Sequence, residues 1–244
     1  MKRPQMILFD YGHTLLYEPD WDAERGDRAL LAYAVKNPKN CGVGEIRREV
    51  AEVFGEIERI QEAEGVSIPC ILGDRLVYEH LGIEFSLTPH EQETVFWTAA
   101  CPGAVMPGAD RLLDALAEAG IRTAVLSNNG WSGEAIQERF DRLLPNHRFE
   151  FVMSSSDYLI RKPDPRLFEI ALLKAGLDAS EVWYVGDSLR ADVYGSHAAG
   201  LFPVWYEEET MESRYDITGI PLPDFAYLRV TSLDALAEIV GALS

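Results

Sequence analysis

The chain has 244 residues, 47% of them hydrophobic and 25% charged, which suits a globular protein with a sizeable core and excludes a disordered chain. Lys and Arg number 22 against 40 Asp and Glu, a formal net charge of −18. So acidic a chain has no broad basic face for nucleic acid or an anionic membrane.

Gln5-Met6-Ile7-Leu8-Phe9 reads as a buried strand that ends at Asp10. This apolar run is too short for the core of a secretory signal. No uncharged stretch approaches the roughly 20 residues of a membrane helix. Cys41, Cys70 and Cys101 lie far apart and form no CxxC pair, so reduced thiols and a cytoplasmic location are expected. Tyr11 to Leu16 reads as a loop or turn. From about Glu18 to Ala100 the reading is helical. In Glu45–Glu64, Ile46, Val50, Val53, Phe54, Ile57 and Ile60 follow helical spacing between charged residues. Cys70–His80 and Pro89–Thr98 also read as helices, the latter with Thr88 as N-cap and Pro89 at its first position.

Dense Pro and Gly punctuation at 101–108 marks a change of pattern. Helices at Asp110–Ala119, Ser132–Leu143, Pro165–Ala175, Leu189–Ala199 and Leu233–Leu243 then alternate with short apolar strands. The strands are Arg122–Leu126, Phe149–Met153, Val182–Val185, Phe202–Trp205 and Ala226–Val230. This alternation predicts an α/β fold, a doubly wound parallel sheet of Rossmann type. The helical stretch is an insertion after the first strand. Residues 1–17 and 101–244 would form the core domain, and residues 18–100 a helical cap domain.

Ligands of open α/β sheets bind at the carboxyl ends of the strands. There the sequence places Asp10; Ser127-Asn128-Asn129; Lys162-Pro163-Asp164; and Gly186-Asp187-Ser188 followed by Asp192. A carboxylate can attack phosphorus. Several carboxylates suit Mg²⁺, a hard cation that takes oxygen ligands. A lysine and a hydroxyl can hold phosphoryl oxygens and neutralise their charge.

Four segments in order resemble the motifs of the haloacid dehalogenase superfamily. They are Phe9-Asp10-Tyr11-Gly12-His13-Thr14-Leu15, Val125-Leu126-Ser127-Asn128, Arg161-Lys162-Pro163-Asp164, and Val185-Gly186-Asp187-Ser188 with Asp192. The helical insertion resembles the C1 cap of subclass I. The resemblance implies a Mg²⁺-dependent phosphatase acting on a small phosphorylated metabolite. Asp10 would be the nucleophile, with Ser127, Asn128 and Lys162 on the phosphate. Asp10, the Gly12 carbonyl, Asp187 and Asp192 would hold Mg²⁺, and Thr14 would tie down the loop after Asp10. Neither nucleic acid nor membrane is expected as a partner, and the chain is expected to be a monomer or homodimer.

One position departs from the family pattern. Most phosphatases of this superfamily carry a second Asp two residues after the nucleophile, as general acid and base, and here that residue is Gly12. Such a group is typically worth about 10²–10⁴-fold in rate. His13 is a candidate substitute for proton transfer. A catalytically silent phosphate- or partner-binding relative is the alternative reading. The dehalogenase branch fits less well, since it carries an aromatic residue at this position and lacks the metal carboxylates. The acidity is spread through the chain: residues 18–100 carry 8 basic and 17 acidic side chains, a net −9, and the remainder also −9. It therefore does not oppose an anionic substrate held at contact range, because charges farther than about 8 Å are largely screened at physiological salt.

Overall fold

The computed structural model describes residues 2–208 and 217–243. Strand β1 (Met6–Phe9) is followed by the two-residue β2 (Leu16–Tyr17), helix α1 (Ala23–Leu31) and β3 (Ala34–Lys36). Helices α2 (Val43–Glu64) and α3 (Cys70–Leu81), strand β4 (Glu84–Phe85) and helix α4 (Pro89–Ala100) come next. The chain continues with β5 (Ala104–Val105), α5 (Ala109–Glu118), β6 (Arg122–Ser127), α6 (Gly133–Leu143), β7 (Phe149–Ser154), α7 (Pro165–Ala175) and β8 (Val182–Gly186). A π-helical stretch at Leu189–Tyr194 leads into α8 (Gly195–Ala198), β9 (Phe202–Tyr206), β10 (Leu228–Val230) and α9 (Leu233–Gly241).

Six strands form one sheet in the order β10-β9-β8-β1-β6-β7, and every pairing is parallel. The α/β reading therefore holds. β1 is buried on both faces, as an apolar run in a parallel sheet requires. Ile7 and Phe9 point into one core with Leu112, Leu116, Ile136 and Phe140, while Met6 and Leu8 point into the other with Leu167, Phe168 and Ala171. The chain leaves β1 toward β6 and β7 and later returns to β8 on its other side. This reversal of direction opens a crevice at the carboxyl end of β1.

Helices α1 to α4 lie between β1 and β6 in the chain and build a separate small core around Leu30, Ile46, Val77, Tyr78 and Ile83. Thr88 caps α4 as its sequence predicts, its hydroxyl accepting from the Glu91 amide. The α2 stripe is only partly covered, for Ile46 is buried while Ile60 is 40% exposed. Two small ribbons escape a purely helical reading of this segment. β3 pairs antiparallel with β4, and β2 with β5, where the chain leaves the sheet domain and comes back. Two- and three-residue strands are too short to show a periodicity. The predicted 189–199 helix is replaced by the π-helical stretch and the short α8. The three cysteines form no disulfide, and among the described residues no helix is long and apolar enough to cross a membrane.

The α1–α4 segment encloses a cavity of about 360 Å³ whose wall includes Asp74, Tyr78, Phe85 and Glu93. Burial pushes the Asp74 carboxyl from an ordinary 3.8 up to about 7, the Glu93 charge adds to the rise, and Arg47 opposes it. Between these values the folded chain keeps a proton that the unfolded chain has lost. Stability therefore falls as pH climbs through that window, and the full deficit stands above it. Asp74→Asn is expected to melt above wild type at pH 8, with the gap narrowing toward pH 5, in thermal scans at several pH values.

Candidate active site

The backbone puts the reactive groups at the sheet edge. The Asp10 amide donates to the Val185 carbonyl at 2.8 Å, so Asp10 continues the β1–β8 ladder one residue past the strand. Ser127 is the last residue of β6, beside Asp10 on the other flank, and is 2% exposed. Lys162 enters from the segment after β7, at a cis Lys162–Pro163 peptide. Its ammonium is buried and donates three hydrogen bonds: to Asp10 Oδ1 at 2.9 Å, to Asp192 Oδ1 at 2.6 Å and to the Tyr184 hydroxyl at 2.5 Å. The Tyr184 hydroxyl donates its own hydrogen bond to the Leu126 carbonyl at 2.6 Å, which fixes its oxygen as an acceptor for the lysine.

Electrostatics hold this group together. Burial alone would lower the Lys162 ammonium, but the carboxylates of Asp10 and Asp192 outweigh it and hold the group raised, hence charged. Burial pushes the Asp192 carboxyl up; the Lys162 charge opposes that rise and the Asp10 charge adds to it. Burial and the three surrounding carboxylates lift the Tyr184 phenol far above its usual range, so it stays protonated. Asp192 also accepts from the Ser188 amide at 2.8 Å on its second oxygen. Its close approach to β8 needs Gly186, since a Cβ there would overlap the Asp192 carboxylate.

Carboxylate oxygens of Asp10, Asp187 and Asp192 all lie within 4.8 Å of one another, an all-oxygen set of the kind a hard divalent cation takes. The donor set therefore fits Mg²⁺. A cavity of about 70 Å³ opens on this group, with Asp10, Gly12, Ser127, Asn128 and Lys162 in its wall.

Other predicted residues stand differently. The Asn128 side chain clasps the Lys162 backbone, accepting from its amide at 2.7 Å and donating to its carbonyl at 2.9 Å. Asn128 thus orients Lys162 as well as bordering the cavity. Asn128→Ala leaves both backbone groups unpaired and is expected to cost about 1–3 kcal/mol of stability in urea unfolding. His13 is absent from the cavity wall; its ring lies edge-on to Tyr17 at 6.1 Å. Thr14 is buried, but its hydroxyl has no hydrogen-bond partner among the described residues. The expected tie by Thr14 is corrected: the loop is closed by backbone bonds from Leu15 and Leu16 to the Tyr11 carbonyl.

Sequence reasoning missed two residues. Tyr184 reads only as one more apolar position of a buried strand. Glu18, also in the cavity wall, accepts from the Tyr11 hydroxyl at 3.0 Å and the Trp97 indole at 3.1 Å. Its one signal was its place at the end of the loop that follows Asp10.

Residues 103–205 match the family model for haloacid dehalogenase-like hydrolases. The chain is 34% identical to a glyceraldehyde 3-phosphate phosphatase of Pyrococcus abyssi over 104 residues, 42% of this chain and 42% of that protein, and so spans under half of that relative's length. It is 26% identical to pyrimidine 5'-nucleotidase PynA of Streptococcus pneumoniae over 86% of each. A solved 2-haloacid dehalogenase from Pseudomonas syringae pv. Tomato DC3000 shares the fold, with a TM-score of 0.63 and 21% identity over 100% of both chains. The family model, over under half of the chain, and the two curated relatives point toward the haloacid dehalogenase-like hydrolases, while the solved structure shows the fold alone.

Proposed function

We propose that this haloacid dehalogenase-like hydrolase is a Mg²⁺-dependent phosphatase that cleaves a small phosphorylated metabolite through an aspartyl-phosphate on Asp10. Residues 18–100 serve as a C1-type cap over the strand ends. The observation that carries this reading is the Asp10–Lys162–Asp192 contact at the sheet edge, with Asp187 completing the carboxylate set.

Each residue has a task. Asp10 presents a carboxylate oxygen to phosphorus. Lys162 and the Ser127 hydroxyl hold the phosphoryl oxygens, and Asn128 fixes the backbone from which Lys162 reaches in. Asp10, Asp187, Asp192 and the Gly12 carbonyl would hold Mg²⁺, which when bound neutralises phosphoryl charge. Tyr184 holds the lysine from below.

The test is phosphate release from a panel of small phosphomonoesters. Release is expected to vanish with a chelator and to return with added Mg²⁺. Undiminished release in the chelator overturns the reading. Gly12 favours one second reading, a catalytically silent phosphate binder. That reading is supported if beryllofluoride binds with Mg²⁺ while no ester turns over.

A further inference from the structure

Gly12 leaves the phosphatase reading without the carboxyl usually found two residues after the nucleophile, and the cavity wall supplies another. Besides Glu18, its titratable side chains are Asp10, Tyr11, Lys162 and Asp192. Asp10 is assigned to phosphorus. Lys162 and Asp192 are bound to each other. The Tyr11 hydroxyl is committed as the donor to Glu18. Glu18 is therefore the one carboxylate of that wall that Lys162 does not hold.

Its geometry suits proton transfer. Both donors fall on Oε1, and Oε2 makes no hydrogen bond among the described residues. Those donors are rigid. Trp97 is 2% exposed, stacks on Trp131 with ring centroids 4.9 Å apart, and has the Arg139 guanidinium carbon 3.9 Å from its ring centroid. The backbone is set by the antiparallel Tyr17–Ala104 pair immediately before Glu18. The Oε1 anchor thus fixes the side chain and leaves the second oxygen for exchange with a ligand.

We propose that Glu18 is the catalytic acid and base of this site, in place of the group that Gly12 lacks; the inference rests on the phosphatase reading. In the first half-reaction an Asp10 oxygen bonds to phosphorus. The bond from phosphorus to the leaving oxygen breaks, its electron pair stays on that oxygen, and the Glu18 proton caps it to release an alcohol. In the second, water bonds to phosphorus and gives a proton to the Glu18 carboxylate. The bond from phosphorus to Asp10 then breaks, returning the aspartate and free phosphate. Over both halves one ester and one water become one alcohol and one phosphate, and the proton Glu18 gives in the first half is restored to it in the second.

Glu18→Gln keeps an oxygen acceptor for Tyr11 and Trp97, so its melting temperature is expected to match wild type. On phenyl phosphate its kcat is expected to fall about 10²–10⁴-fold, the range for a lost general acid or base, with KM little changed. On 2,4-dinitrophenyl phosphate, whose leaving group needs no proton, a stoichiometric burst of dinitrophenol should persist while phosphoenzyme accumulates. Glu18→Ala is expected to regain turnover with added formate, which a purely structural role would not produce. Turnover of phenyl phosphate by Glu18→Gln within about threefold of wild type overturns the proposal, and so does equal loss of the burst on the dinitrophenyl ester. Asp10→Asn separates the two ideas. If it is inactive while Glu18→Gln is fully active, only the Glu18 assignment fails. If it stays active, or if wild type cleaves neither ester, the phosphatase reading fails and takes Glu18 with it.

Discussion

Asp10→Asn is expected to lower kcat for Mg²⁺-dependent phosphate release by about 10⁴-fold or more, the scale on which enzymes fall when the nucleophile is removed. An amide oxygen is too weak a nucleophile to attack phosphorus, and as a neutral ligand it holds a divalent cation less firmly than a carboxylate does. The fold should survive, because Lys162 keeps its ion pair with Asp192 at 2.6 Å and its bond to Tyr184 at 2.5 Å. A melting scan and a phosphate-release assay on the same preparation check both halves of this expectation. Retained turnover would remove Asp10 from the chemistry, whatever the structure around it.

Lys162→Met is expected to have the largest effect on stability. The ammonium is 1% exposed and stands between two carboxylates. Removing it leaves Asp10 and Asp192 facing each other with no counter-charge in a buried site. Breaking a buried ion pair from one side costs about 3–5 kcal/mol. For a chain of this size that corresponds to a fall of roughly 6–20 °C in melting temperature. Because the deficit is surplus negative charge, added Mg²⁺ should raise the melting temperature of the variant by more than it raises wild type. Activity should fall with stability, since the same ammonium is assigned to the phosphoryl oxygens. A variant that melts with wild type would mean that the two carboxylates relax apart or take up protons at little cost.

The central sheet was legible because parallel strands buried on both faces are written as short apolar runs, as in Met6–Phe9 and Val182–Val185. Their ends were legible because the runs stop at polar residues. The ribbons β2–β5 and β3–β4 were not legible, since a two-residue strand carries no period and its partner lies 48 to 89 residues away in the chain. The clasp of Asn128 on Lys162 joins residues 34 apart across two strand ends. Thr14 illustrates the opposite error: a polar residue in the right segment, whose hydroxyl the fold buries without a partner.

The sequence by itself determined which side chains end each strand, because hydrophobic patterning sets where a strand stops and parallel order sets which ends meet. That places Asp10, Ser127, Lys162, Asp187 and Asp192 at one edge. It also showed that residue 12 carries no carboxyl. Only the tertiary structure decided what stands in the space this leaves. His13 follows directly in the chain, yet it lies outside the cavity wall, whereas Glu18 lines it. The loop after Asp10 is closed by its own backbone bonds, and Glu18 follows directly on the two-residue strand paired with residues 104–105. Proximity in sequence says little about a group whose position is set by a ladder to a distant strand and by an indole from a helix in the insertion.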